Sequence, residues 1–91
     1  MNKTIYKYEL AVDAFTQTII MPKGAKILHF GNQNNALMIW AEVDPSWVEE
    51  TRFFRVLATG ANNYPEDQKL SYVGTALFYD GAFVWHLYEV L

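Results

Sequence analysis

Two histidines are the side chains of this sequence that could act as a base or a metal ligand near neutral pH. His29 and His86 each lie inside an apolar run, where an imidazole is more often packed, with its nitrogens bonded to neighbouring groups. The chain has no His-x-Glu or His-Glu-x-x-His pattern and no cysteine, so no third ligand stands at a recognisable spacing. The sequence therefore predicts no metal site and no cofactor.

Hydroxyl and carboxylate side chains do not form a catalytic set either. Ser46 and Ser71 lack the Gly-x-Ser-x-Gly context of an activated serine. The adjacent acids at 49–50 and 66–67 fall in polar segments, which favours solvated surface acids over a buried acid and base. We therefore predict a protein that is not an enzyme, and a small hydrolase that uses either histidine ranks last among the hypotheses.

The segment 60–69 is the longest stretch without hydrophobic periodicity, and polar loops of this length are often functional. A glycine lets a ligand approach the backbone, and threonine and asparagine offer donors and acceptors that suit a phosphate or a ribose. The alternative is an ordinary turn, because the Gly-Lys-Ser/Thr of a phosphate-binding loop is missing. We predict that Thr59, which precedes this segment, and four of its residues bind a ligand or partner; the four are Gly60, Asn62, Asn63 and Tyr64.

Arg52 and Arg55 lie three positions apart on one predicted strand and so point to opposite faces. Arg55 shares its face with Phe53 and Leu57, and an arginine among apolar neighbours usually has an anionic partner. A glutamate of the protein itself is the favoured partner, and a phosphate of a ligand is the alternative. We include Arg55 and His86 among the predicted binding residues.

Trp47 follows Pro45 in a predicted turn, outside the periodic segments, which indicates a contact residue at a protein interface. It could equally cap the open end of a sandwich. Eight other aromatic residues could stack on bases, but a small β domain needs such side chains for its core, and we interpret them as core. These residues are Tyr6, Tyr8, Trp40, Phe53, Tyr72, Phe78, Trp85 and Tyr88.

Alternating apolar and polar residues predict about seven strands and no helix longer than a turn or two. The chain is then a single mainly β domain over 1–91, an antiparallel meander folded into a small sandwich or a partly closed barrel. The predicted strands are Thr4–Leu10, Thr16–Met21, Lys26–Gly31, Ala36–Val43, Thr51–Thr59, Leu70–Tyr79 and Ala82–Val90.

The connections carry their own signals. Asp80-Gly81 predicts a hairpin with a type I′ turn, and the asparagines at 32–35 predict a tight reversal because asparagine tolerates positive φ. Pro22 and Gly24 predict a turn after the second strand, which itself follows a connection containing Asp13. Between 44 and 50 the sequence predicts a turn or a single helical turn over 48–50, capped by an acid or a serine.

Two predicted strands, 36–43 and 82–90, are apolar on both faces. Such a strand is either central in its sheet or covered by another subunit. More than half of the 91 residues are hydrophobic, so apolar surface remains to be covered, and we predict a homo-oligomer.

Charge and length limit the possible partners. The net charge is −3 with seven Lys and Arg residues, which makes nucleic acid an unlikely partner because each backbone phosphate contact needs a cation. No apolar run approaches the roughly 20 residues that span a bilayer, and no basic and apolar leader is present. The sequence predicts a cytoplasmic protein that does not act at a membrane.

Four segments of the chain stand out together. They are Lys3-Thr4-Ile5-Tyr6-Lys7-Tyr8, Met21-Pro22-Lys23-Gly24-Ala25-Lys26-Ile27-Leu28, Trp40-Ala41-Glu42-Val43-Asp44-Pro45 and Phe83-Val84-Trp85-His86-Leu87-Tyr88-Glu89. Together, and in this order, they resemble a family of short uncharacterised proteins of bacteriophages and prophages. One departure stands in the long loop, where the family usually has a histidine after Thr-Gly and this chain has Ala61. Chemistry that needs an imidazole there is therefore not expected.

The resemblance implies a phage protein in the host cytoplasm, often an accessory factor. We expect it to bind and neutralise a host component, as an inhibitor of antiviral defence, and the target to be a host protein or a small nucleotide signal. A structural or assembly component of the virion is the alternative.

Overall fold

Seven strands form the structure, a computed structural model that describes residues 2–12 and 15–91. The bounds of β1 and β4 are the predicted ones. The bounds of the other five strands lie within two residues of the prediction at both ends. The connection that contains Asp13 lies partly outside the described residues. The strands are β1 Thr4–Leu10, β2 Gln17–Pro22, β3 Lys26–Gln33, β4 Ala36–Val43, β5 Glu49–Ala58, β6 Leu70–Phe78 and β7 Phe83–Val90.

The strands pair antiparallel in two sheets, one ordered β1-β4-β3 and the other β2-β5-β7-β6. The sheets do not close into a barrel, and the mainly β prediction is confirmed as a two-sheet sandwich. The connectivity differs from a simple meander, because only β3–β4 and β6–β7 are consecutive neighbours. The chain changes sheet after β1, β2 and β4, which lets both sheets contribute one apolar face to a shared core.

The two strands that are apolar on both faces are central, as the sequence predicts. In β4 every second residue, from Leu37 to Val43, is buried, and the residues between are half-buried. In β7 Leu87 is fully buried and six of its neighbours are half-buried. A central position accounts for this pattern, and homo-oligomerisation remains a prediction.

The turns confirm most of the local predictions. Asn34 and Asn35 both have positive φ between β3 and β4, and Gly24 has φ +79° after β2. In the last hairpin Asp80 and Gly81 have positive φ, and the amide of Ala82 bonds to the carbonyl of Tyr79 at 3.0 Å. These features match the type I′ turn that Asp-Gly predicts.

The helical turn predicted at 48–50 is wrong. Ser46 donates its amide and its hydroxyl to Asp44 Oδ1 at 3.0 and 2.5 Å, and β5 begins directly at Glu49. Asp44 thus closes an Asx turn, and the two glutamates pair with β2 instead of starting a helix. No helix in the described part of the chain is long and apolar enough to cross a membrane.

Candidate binding surface

The outer face of the four-stranded sheet gathers predicted binding residues that are far apart in the sequence. Arg55 of β5 lies opposite Tyr88 of β7, which in turn lies opposite Tyr72 of β6. Two residues before Tyr88 on β7, His86 lies opposite Leu57 of β5 on one side and opposite Thr75 of β6 on the other. Since directly opposed residues of a sheet share a face, these side chains form two parallel rows on one surface.

Three tyrosine rings form a continuous cluster on this face. The rings of Tyr72 and Tyr88 are 5.6 Å apart and those of Tyr64 and Tyr88 are 6.1 Å apart, both in edge-to-face geometry. Tyr64 and Tyr72 are 55% and 58% exposed, so much of the cluster faces solvent. We call Arg55, Tyr64, Tyr72, His86 and Tyr88 the tyrosine–arginine surface.

Arg55 has no carboxylate partner among residues 2–12 and 15–91. Its two terminal nitrogens donate to Gln68 Oε1 and to the carbonyl of Asn63, each at the long distance of 3.4 Å. Its Nε is buried and has no hydrogen-bond partner within the same residues. The prediction that a glutamate of the protein pairs with Arg55 is therefore wrong, and the glutamate partner belongs to Arg52 instead.

The segment 59–69 contacts the outer face of the sheet at several points. Gln68 and Asn63 both come from this segment, and Tyr64 from the same segment touches Tyr88. Leu57 lies on this face at 5% exposure although it is outside the main core cluster. The loop is thus a packed part of the surface and not a passive connection.

His86 joins a chain of hydroxyl groups across this face. Thr59 Oγ1 lies 2.6 Å from His86 Nε2, and Thr75 Oγ1 lies 3.0 Å from His86 Nδ1. Thr75 Oγ1 is also 2.5 Å from the hydroxyl of Tyr72. The chain fixes the ring of His86 and ties it to the tyrosine cluster, which fits the interpretation of a histidine bonded to its neighbours.

Gly60 and Asn62 serve the turn beside this surface. Gly60 has φ +79°, and the amide of Ala61 bonds to the carbonyl of Ala58 at 3.2 Å, closing a tight reversal after β5. Glycine fits here because positive φ strains other residues. Asn62 is exposed, as are Thr59 and Asn63.

Trp47 lies away from the tyrosine–arginine surface. The ten residues of β5 separate it from Thr59, a distance of roughly 30 Å along the strand. Its side chain is 55% exposed and lines two clefts, one of about 330 Å³ beside Lys3 and one of about 560 Å³ beside Tyr6. Burial raises the pKa of Tyr8, which lines the larger cleft.

His29 lies on the outer face of the other sheet, so the two histidines do not meet. Its ring centroid is 5.7 Å from that of Trp40, and it stands over Gly31. A substitution at Gly31 would bring a Cβ to 2.7 Å from His29 Nε2. Within residues 2–12 and 15–91 no group of three or more His, Asp or Glu side chains could hold a metal ion.

Sequence reasoning assigned two members of the surface to the core. Tyr72 is exposed and Tyr88 is half-buried on the outer face, and Phe53 and Tyr6 are also exposed. Phe78 is buried as expected, and Tyr8 and Trp85 pack against the core. Residue type gives no signal that separates these positions, since Tyr8 packs against the core and Phe53 is exposed.

These elements define a small two-sheet β-sandwich protein that displays an aromatic and arginine surface on one sheet. The chain matches the family model of a domain of unknown function (DUF7352) over residues 1–91 and belongs to that family. No curated protein and no solved structure matches the chain.

Proposed function

We propose that the chain is a non-catalytic bacteriophage accessory protein that binds and neutralises a host component through the tyrosine–arginine surface. Its target is a protein of antiviral defence or a small nucleotide signal in the bacterial cytoplasm. The observation that supports this proposal is Arg55, a half-buried cation that, in the part of the chain that the structure describes, meets no carboxylate and keeps a buried N–H without a partner.

The state of Arg55 favours an incoming anionic group. The two terminal nitrogens have only long bonds to neutral acceptors, so an anion that reaches them gains charge-assisted hydrogen bonds. Carboxylates and phosphates are the groups that a guanidinium binds best. An acidic side chain of a protein and a phosphate of a nucleotide therefore both fit, and the surrounding tyrosines offer rings to either.

The composition around Arg55 is typical of protein interfaces. Tyrosine and arginine are enriched among the residues that contribute most binding energy, and a tyrosine ring loses little rotamer freedom on binding. Tyr64 and Tyr72 expose more than half of their surface, and the cluster they form with Tyr88 is ordered by ring contacts before a partner arrives. Such preorganisation reduces the entropy lost on association.

Affinity purification from bacterial lysate tests the proposal with three baits. The wild-type chain should retain a host protein or a nucleotide, identified by mass spectrometry of the eluate and of the supernatant after heat denaturation. Arg55→Met should lose it. Lys23→Met, which removes the same charge from an exposed lysine at a turn outside the surface, should keep it. Recovery of neither kind of target, or equal recovery with all three baits, contradicts the proposal.

A second candidate is a hydrolase, since Thr59 Oγ1 lies 2.6 Å from His86 Nε2 in the arrangement of a nucleophile and its base. A threonine hydroxyl occupies the other ring nitrogen, where such enzymes usually place a carboxylate. Replacing both histidines by glutamine separates the two functions, because a folded variant that keeps its biological effect is not acting through either imidazole. Presence of the protein in purified particles would instead favour a virion component.

A further inference from the structure

Strand β1 lies on the other sheet from the tyrosine–arginine surface, and self-association through it goes beyond the proposed function. The strand is an edge of its sheet and, among the described strands, pairs only with β4. The opposite edge, β3, lies beside β6, and Asn32 Nδ2 of β3 donates to the carbonyl of Leu77 at 3.2 Å. An edge strand presents a row of unpaired amides and carbonyls, which is a template for another strand.

The charges of β1 are complementary to those of a second β1 running in the opposite direction. Lys7 and Glu9 point to the outer face of the sheet, on either side of Tyr8. Lys7 Nζ donates to the neutral Gln33 Oε1 at 2.6 Å, and neither Lys7 nor Glu9 has an ion pair within the described residues. Two opposite charges without an ion pair among the described residues therefore lie on the edge strand, and pairing with a partner's Glu9 replaces the bond that Lys7 makes across β4 to Gln33 of β3.

Only one register of a self-paired β1 matches these charges. A two-fold axis perpendicular to the sheet leaves each side chain on the same face of the sheet. Because directly opposed residues also share a face, the axis must pass between one residue and its own copy in the partner. Centred on Lys7 or on Glu9, the pairing sets like charges against each other. Centred on Tyr6, it leaves Lys7 opposite Ile5 of the partner and sets Glu9 opposite the partner's Lys3, which lies before β1 and is already paired with Glu42. Centred on Tyr8, it sets Lys7 opposite the partner's Glu9 on both sides of the axis.

The ends of β1 fit this register. The amide and carbonyl of Ala11 both bond to the side chain of Gln17 at 2.8 Å, so pairing stops at Leu10. With the axis at Tyr8, the paired stretch of each strand then runs from Tyr6 to Leu10, and Tyr6 lies opposite Leu10 of the partner. Beside this edge lies the cleft of about 560 Å³ that is lined by Tyr6, Tyr8 and Trp47, which leaves room for the ring of the partner's Tyr8.

We propose that β1 pairs antiparallel with the β1 strand of a second copy of this chain, with Tyr8 opposite the partner's Tyr8. The two three-stranded sheets then become one six-stranded sheet across the dimer. The interface is isologous and closes on itself, so two copies complete it. The homo-oligomer predicted from the central strands is thereby placed at an edge strand.

A charge exchange tests the pairing on exposed residues that leave the core intact. Light scattering on the purified protein should give the mass of two chains of 10.5 kDa. Lys7→Glu and Glu9→Lys each set like charges opposite one another twice and should raise the dissociation constant of the dimer at least tenfold. The double variant restores the opposite pairs and should restore the dimer. A monomer at every concentration, a mass above two chains, or no rescue by the double variant overturns the proposal.

Cysteine cross-linking tests the register, and the chain has no cysteine of its own. Under mild oxidation Tyr8→Cys should form a covalent dimer, because position 8 faces itself across the axis. Tyr6→Cys, on the same strand face, should stay unlinked, because its copy lies four residues away, roughly 13 Å. If Tyr8→Cys does not fold, Lys7→Cys mixed with Glu9→Cys should link faster than either variant alone. Equal linking at positions 6 and 8, or in the mixture and its components, contradicts the register.

Discussion

The two faces of β5 carry one arginine each, three residues apart, and the two side chains have different surroundings. Arg52 donates from Nε and from one terminal nitrogen to the two oxygens of Glu89, both at 2.7 Å. Its remaining nitrogen reaches the carbonyl of Ala25 at 2.6 Å, and both side chains of the ion pair are less than one-fifth exposed. The bonds to Glu89 raise the pKa of Arg52.

Arg55, on the other face, has two bonds of 3.4 Å to neutral acceptors and one buried nitrogen without a partner. The same strand thus holds one cation whose charge is fully used inside the fold and one whose charge is available. A bidentate, partly buried pair stabilises the folded chain only while both partners remain. An unpaired cation on a surface of exposed rings is instead suited to a ligand.

Breaking the ion pair between Arg52 and Glu89 should have the largest effect on the stability of the fold. Arg52→Met leaves the Glu89 carboxylate partly buried without its cation and should lower the free energy of unfolding by about 3 kcal/mol. Urea denaturation followed by tryptophan fluorescence measures it. The double variant Arg52→Met with Glu89→Leu should recover much of the loss, because no charge is then left unpaired. A loss below about 1 kcal/mol for the single variant would show that the pair is as weak as a surface ion pair.

The same substitution on the other face should act on binding and not on folding. Arg55→Met should weaken partner binding by about 2 kcal/mol, roughly 30-fold, as expected for an arginine at the centre of an interface. It should leave the free energy of unfolding unchanged or raise it by up to about 1 kcal/mol, because a buried donor without a partner is removed. Isothermal titration with the recovered partner and urea denaturation measure the two effects. A destabilisation equal to that of Arg52→Met would remove the contrast between the faces.

Two substitutions at Tyr72 separate the contribution of its ring to partner binding from the contribution of its hydroxyl group. Tyr72→Ala removes the ring that contacts Tyr88 and should weaken partner binding by about 1 kcal/mol. Tyr72→Phe keeps the ring and loses only the 2.5 Å contact with Thr75, so its binding should stay within about 0.5 kcal/mol of the wild type. Equal losses in the two variants would assign the effect to the hydroxyl chain and His86, and not to the aromatic rings.

Removing the charge of Asp44, a half-buried acid that accepts two hydrogen bonds from Ser46, should have the smallest effect on stability. The hydroxyl and then the amide of Ser46 lower the pKa of Asp44 below its usual 3.8. Because the folded-state pKa is depressed, the stabilisation from Asp44 is present above pH 3.8 and is lost as the pH falls through the folded-state value. The melting temperatures of wild type and Asp44→Asn should therefore differ slightly at pH 7 and converge near pH 2. Divergence at low pH would contradict the depressed pKa.

Local signals predicted most of the secondary structure. Alternation located seven strands, and the Asn-Asn, Pro-x-Gly and Asp-Gly segments located three of the turns, because the residues that tolerate positive φ are few. The exception was 48–50, where two glutamates and a possible cap resembled a helix start. Pairing with β2 decided that segment, and no property of residues 44–50 alone reports a strand that lies far away in the sequence.

The candidate site was partly predicted. Arg55, Thr59, Asn63, Tyr64 and His86 come together on one face, whereas Trp47 lies at the other end of β5. Tyr72 and Tyr88 were interpreted as core because an apolar strand does not show which face its sheet exposes. That property depends on which strands are neighbours.

The amino-acid sequence alone determined the strands, the turn residues and the opposite directions of Arg52 and Arg55, because all three follow from backbone geometry over a few residues. The tertiary structure decided which arginine pairs with a glutamate, because Glu89 lies near Arg52 only as a result of β7 lying between β5 and β6. It also decided that three tyrosines from β6, β7 and the 59–69 loop meet beside the other arginine. Strand order is set by the packing of the whole core, and side chains that are distant in sequence become neighbours only through that order.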